Sequence, residues 1–138
     1  MLDLNLTASL ATLPNFAAFF GVGVAISLLF VAIYSAATPH HEFALIRAGN
    51  GAAAVAFGGA LIGFELPLAS AIIHSASLAD MAVWGVVALL VQLLAYLAAR
   101  LCDARLSARI AGGEMSAGIF VATIALAVGV LNAACITY

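Results

Sequence analysis

The chain has 138 residues, 67% hydrophobic and 7% charged, with a formal net charge of −2. An ordinary soluble domain is about 45–50% apolar and about 25% charged, and a chain this short must expose much of its surface. Those proportions exclude a water-surrounded globule, and the lack of any basic run excludes a nucleic-acid or anionic-lipid patch.

A bilayer-spanning helix needs about 20 mostly apolar residues, and four stretches qualify. The first 13 residues contain no Lys or Arg, so the positive segment of a cleavable signal peptide is missing and the first apolar stretch is expected to stay as a membrane helix. That helix is expected over about residues 16–37. Pro14 lies near its start, where a missing N–H costs nothing, and Thr38-Pro39 ends it. The second follows the Gly49-Asn50-Gly51 break and covers about residues 51–73. The third covers about 78–102 and opens with Ser77-Leu78-Ala79-Asp80, the Ser-x-x-acid form of a capping box. The fourth follows Gly112-Gly113 and covers about 115–137, with Glu114 where a helix dipole favours an anion. The expected fold is an all-α, single-domain membrane four-helix bundle.

All four cations, Arg47, Arg100, Arg105 and Arg109, lie in or beside the loops joining helices one to two and three to four. The positive-inside rule puts those loops in the cytoplasm and both termini outside, in the periplasm of a diderm cell. Each loop also holds a short mixed stretch, 42–48 and 104–111, that reads as an interfacial helical turn. An offset of 63 pairs Ala48-Gly49 with Ala111-Gly112, Phe57 with Phe120 and Leu68 with Leu131, and an offset of 64 pairs Gly21 with Gly85. Two hairpins of equal topology would form a parallel tandem repeat, with halves at about 16–73 and 78–138.

Membrane helices associate through small residues that let backbones approach. Each helix carries such a stripe. The first has Gly21, Ala25, Ala32 and Ser35, with Leu28 in the gap; the second has Ala52, Ala56, Gly59, Gly63 and Ser70. The third has Gly85, Ala88, Gln92, Ala95 and Ala99; the fourth has Gly118, Ala122, Ala125, Gly129 and Asn132. Gln92 and Asn132 sit inside their stripes and read as interhelical hydrogen-bonding groups, with ligand contact as the alternative. Glu65 points about 200° away from Gly63. A lone carboxylate in hydrocarbon marks function by default. It could snorkel or pair locally, line a subunit contact or polar cavity, or hold a proton or cation. Pro67, two residues on, frees a carbonyl and favours a kink.

His40-His41-Glu42 is the one cluster with metal-ligand residue types. Adjacent histidines diverge, so cytoplasmic loop surface is the favoured reading over a shared metal or partner site. His74 reads as interfacial, and Trp84, Tyr34, Tyr96 and Tyr138 as packing or interfacial anchors. Cys102 and Cys135 fall at opposite membrane faces and read as buried small apolar residues without a disulfide. HExxH, GxSxG, P-loop and CxxC motifs are absent, so no enzyme, metal or cofactor chemistry is expected.

Several segments, in order, resemble a known family. They are Tyr34-Ser35 with Thr38-Pro39-His40, Pro67-Leu68-Ala69-Ser70, Trp84-Gly85, Val91-Gln92-Leu93-Leu94, Ala117-Gly118-Ile119-Phe120 and Asn132-Ala133-Ala134-Cys135. Together they resemble the YjfL-like family of uncharacterised bacterial inner-membrane proteins, domain of unknown function 350, from about Phe16 onward. The resemblance implies four helices in a tandem repeat, an inner-membrane location and envelope-associated partner proteins, with no established activity. It points to Thr38, Pro39, His40, Pro67, Ser70, Gln92 and Asn132, whereas Glu65 departs from the family pattern. The expected function is a non-catalytic oligomeric membrane component or scaffold. An oligomeric ion or small-solute channel or carrier is the alternative, and a membrane enzyme using His40 or His41 the remote third.

Overall fold

The structure is a computed structural model and describes residues 2–136, with side chains from residue 5. The expected helix end at Thr137 and the Tyr138 anchor lie outside the described residues. Seven helices follow in order: α1 (Leu2–Ala11), α2 (Leu13–Ala37), α3 (Glu42–Arg47), α4 (Gly51–His74), α5 (Leu78–Cys102), α6 (Leu106–Ala111) and α7 (Met115–Cys135). Four helical stretches are long and apolar enough to cross a bilayer, within 5–37, 51–74, 78–102 and 115–135. Among the described residues every regular element is helical.

The helix ends follow local chemistry. Pro14 occupies the first turn of α2, where its absent N–H has little to lose. The expected tail before it is helical instead. Thr12 keeps helical angles between α1 and α2, and its carbonyl accepts from the Phe16 N–H at 3.0 Å. Asn50 caps α4 by accepting from the Ala53 N–H at 3.0 Å, and Ser77 caps α5 by accepting from the Asp80 N–H at 3.1 Å. Glu114 stands at the N-cap position of α7, but its carboxylate turns to Arg109 Nε at 2.6 Å rather than to the helix.

α4 and α7 form the most intimate pair, and they run parallel. A Cβ on Gly59 would overlap Ala122, one on Gly63 or Gly118 the backbone of Ala125 or Ala52, and one on Gly129 the backbone of Gly63. Only glycine permits this approach, and dispersion between touching backbones replaces the hydrophobic drive that lipid removes. Gly85 of α5 faces Ile26 and Leu68 less tightly.

α2 departs from its expected packing. Gly21 has nothing within 4 Å of a Cβ position, and Ala25, Leu28 and Ala32 are exposed. The buried face is Gly23, Ile26, Phe30 and Tyr34. Large rings prevailed over small residues because α2 sits at the bundle edge, where a broad cavity must be filled. Phe30 stacks on Phe64 with centroids 4.3 Å apart and planes 5° from parallel. The cysteines also differ from expectation. Cys102 and Cys135 are free but exposed, because each is the last residue of its helix.

Both short helices lie at one end of the bundle, here the loop end. α6 buries Leu106 and Ile110 fully, and they close off the loop end of the core. The opposite, far end holds the start of α2 and the ends of α4 and α7.

Candidate functional site

Thr38-Pro39 stops α2 and turns the chain back under the bundle. The Thr38 N–H donates to the Tyr34 carbonyl at 3.0 Å, and its hydroxyl to the Ser35 carbonyl at 3.3 Å. The next three residues alternate. His40 is 7% exposed and Glu42 2%, while His41 faces out. The expectation that His40 and Glu42 belong to loop surface is therefore overturned. An extended segment reverses side-chain direction at each residue, so flanking α3 with one outward histidine puts its two neighbours inward.

What receives them comes from 67 positions away. His40 Nδ1 lies 2.6 Å from Ser107 Oγ on α6. His40 Nε2 lies 3.5 Å from Glu42 Oε1, with both side chains almost wholly enclosed. Glu42 Oε2 accepts from Ser35 Oγ at 3.3 Å. The Tyr96 hydroxyl is 3.5 Å from Ser107 Oγ, and the Tyr34 and Tyr96 rings meet edge to face at 5.5 Å. Tyr34 Oη, His40 Nε2 and Glu42 Oε1 are buried without a hydrogen-bond partner. Buried polar atoms left in this state are costly, and three together mark the site.

A second tie joins the two loops. Asn50 Nδ2 donates to the Ile110 carbonyl at 2.8 Å, in addition to the cap its Oδ1 makes. Outside this seam, Arg109 bridges Asp103, Glu114 and Ser116. The Arg109 guanidinium first, then the Arg105 N–H, hold the Asp103 carboxyl below the usual range. A cleft of about 280 Å³ opens at this end beside Ser35, His41, Glu42 and Arg47. Among the described residues no three His, Cys, Asp or Glu side chains converge.

The other expected polar residues sit elsewhere. Gln92 is buried and donates from Nε2 to the Ala125 carbonyl of α7 at 3.0 Å, beside Gly63. The Ser70 hydroxyl is shared between the Ala133 and Ile136 carbonyls at 2.8 and 3.1 Å, where the last turn of α7 leaves acceptors open. Asn132 Nδ2 is buried without a partner. His74 is exposed at the end of α4, its Nδ1 2.8 Å from the Ser70 carbonyl oxygen. Glu65 joins none of these; it borders a shallow cleft between α2 and α4 with Gly23, Ser27 and Leu68.

Four apolar spans, apolar side chains such as Leu28, Leu94 and Leu131 facing outward, and a polar seam confined to one end define a multi-pass α-helical membrane protein in contact with lipid. The chain matches the family described as Domain of Unknown Function (DUF350) over residues 7–136. It is 45% identical over 129 residues to the UPF0719 inner membrane protein YjfL of Escherichia coli strain K12, covering 94% of this chain and 98% of that one, and matches the Escherichia coli O157:H7 protein of the same name equally. The chain belongs to the DUF350 family and is an inner-membrane protein. No solved structure matches it.

Proposed function

We propose that this protein is a non-catalytic, self-associating inner-membrane component whose two joined loops form a fixed platform for cytoplasmic or envelope-associated partners. The observation that carries this reading is the pair of cross-loop ties, His40 to Ser107 and Asn50 to Ile110. A loop free to move would keep its histidine and carboxylate in water. Here both are taken from water to lock the loops together, which fits a surface held in one shape.

The order Ser107–His40–Glu42 invites comparison with a nucleophile, base and carboxylate. We favour a non-catalytic role because the cleft at this end opens beside Glu42 and Arg47 rather than beside Ser107. The four arginines at the loop end support cytoplasmic loops and periplasmic ends for the first and last spans. A tandem repeat is supported by the order long–short–long helix, which occurs twice. Gly49 and Gly113, each in left-handed backbone just after its short helix, are related by 64 positions rather than 63. For self-association, the outward stripe of Gly21, Ala25 and Ala32 on α2 offers the close approach that a second copy needs.

The alternative, an oligomeric channel or carrier, draws on Glu65, which faces a surface cleft. Gln92 is already committed to Ala125, so a polar route would run between copies rather than through one.

Photo-crosslinking residues at Arg47 and Arg105, in cells, test the platform. Protein adducts are expected at both positions, and they should vanish together in a correctly inserted His40→Ala/Ser107→Ala variant. Adducts to lipid alone, or adducts indifferent to that variant, would remove the proposal.

A further inference from the structure

Away from the loops, an open trough lies between α2 and α4. Its wide part, about 440 Å³, is bordered by Asn15, Phe16, Phe19, Phe20 and Ile72. Its narrower part, about 130 Å³, is bordered by Phe20, Ile72, Ser27 and Glu65. Phe20 and Ile72 belong to both, so the two clefts are one channel-like groove. It descends from polar residues at the mouth, past an aromatic wall, to a carboxylate. Glu65 is nine positions before the end of α4, so it lies about 13 Å below that end at 1.5 Å per residue.

That carboxylate has no hydrogen bond or ion pair among the described residues. The Ser27 hydroxyl beside it already donates to the Gly23 carbonyl at 2.9 Å. An unpaired carboxylate in hydrocarbon needs a proton or a cation. The arginines of this chain cannot supply the cation, and His74, nine positions along α4, turns its Nδ1 to the Ser70 carbonyl. The only four arginines, Arg47, Arg100, Arg105 and Arg109, are at the opposite end of the bundle. A second copy in the same orientation has none at that depth either. The counter-charge must come from outside the protein.

We propose that the trough binds a monovalent lipophilic cation, with its charge at Glu65 and its apolar body along Phe16, Phe19 and Phe20. The chemistry matches at each level. The groove is open rather than enclosed, and an amphiphilic cation concentrates at a membrane interface. Phenyl rings accept a cation or an aromatic substituent on their faces. The combined space is in the range of small-molecule sites. A cation and a proton exclude one another on a single carboxylate, so acid weakens occupancy. Among the side chains bordering the trough, Glu65 is the one carboxylate. Asp3 on α1, His74 on α4, Asp80 on α5 and Cys135 on α7 are the other titratable residues of the elements at this end, and α2 contributes none there. This site is a property beyond the loop-end platform and does not depend on it.

The test uses the full chain in zwitterionic nanodiscs with tetraphenylphosphonium as the probe. Saturable binding is expected, weakening with acid. It should weaken by roughly ten-fold or more in Glu65→Gln, the loss of one charge-assisted contact. Helicity and particle size should stay unchanged, as should binding to an Asp3→Asn/His74→Gln/Asp80→Asn control. In the wild type, dicyclohexylcarbodiimide should modify Glu65, and the probe should protect it. Equal uptake by wild type, Glu65→Gln and empty nanodiscs overturns the proposal. So does modification of Glu65 without protection, which would make it a proton site alone.

Discussion

Proline 67 and two glycines explain each other. Pro67 has no N–H, so the Gly63 carbonyl four residues earlier lacks its helical donor. That carbonyl faces Gly129 of α7, and a Cβ there would strike it. A Cα–H to carbonyl contact, worth about 0.5–1 kcal/mol, takes the place of the missing bond and needs glycine on both sides. Gly129→Ala should therefore destabilise the bundle by about 1–3 kcal/mol, as overpacking does. Gly21→Ala, with open space around it, should be neutral. Denaturant unfolding in mixed micelles distinguishes the two. The tight glycines of α4 and α7 were readable from spacing alone, as was Gln92, because a buried amide in hydrocarbon must point at a neighbour. The α2 stripe misled because alanine is common on every face of an apolar helix, and only Phe30 and Tyr34 marked the inward side. His40 and Glu42 were hidden for a different reason. Their enclosure depends on Ser107, and no local pattern links positions 67 apart. The one usable signal was alternation after a Thr-Pro stop.

The short helices end in the same way, and their glycines are more informative than their length. After α3, the Gly49 N–H bonds the Ile46 carbonyl and the Asn50 N–H bonds Leu45; after α6, Gly113 bonds Ile110 and Glu114 bonds Arg109. Each is a Schellman closure, which requires left-handed backbone at the glycine, and φ is +87° at Gly49 and +82° at Gly113. Alanine at either position should cost about 1–2 kcal/mol, and thermal melts of the two variants should shift alike. Gly112-Gly113 offers two candidates for this role in the sequence, and only the backbone angle selects the second. Acid should loosen the α6 side. The folded-state pKa of Asp103 is depressed by Arg109 and by the Arg105 N–H. Its stabilising contribution is thus complete above the ordinary carboxylate value, about 3.9, and is lost as pH falls through the lower folded value. Asp103→Asn should remove that acid-side slope from a pH series of melting temperatures. A slope unchanged in the variant would show that other carboxylates produce it.

At the scale of the whole molecule, glycines of two kinds have to be kept apart. Gly59 and Gly63 form a GxxxG pair, a pattern that in isolation reads as a dimer contact. Within this bundle they are used up against α7 of the same chain, so Gly59→Leu should unfold the protomer. A lost oligomer would follow only as a consequence. The face left for a second copy is the edge helix. The span over residues 5–37, which contains α2, is the least buried of the four, and the outward stripe of α2 lies opposite the Phe30–Phe64 stack that fixes it to the bundle. Gly21→Leu/Ala25→Leu fills that stripe without touching the core. The variant should keep wild-type helicity and unfolding midpoint while its particle mass in detergent falls to that of one chain. If mass and stability change together, the α2 face supports the protomer itself. If neither changes, copies do not meet there. A fall in mass alone makes the two glycine sets independent, one building the protomer and the other joining protomers.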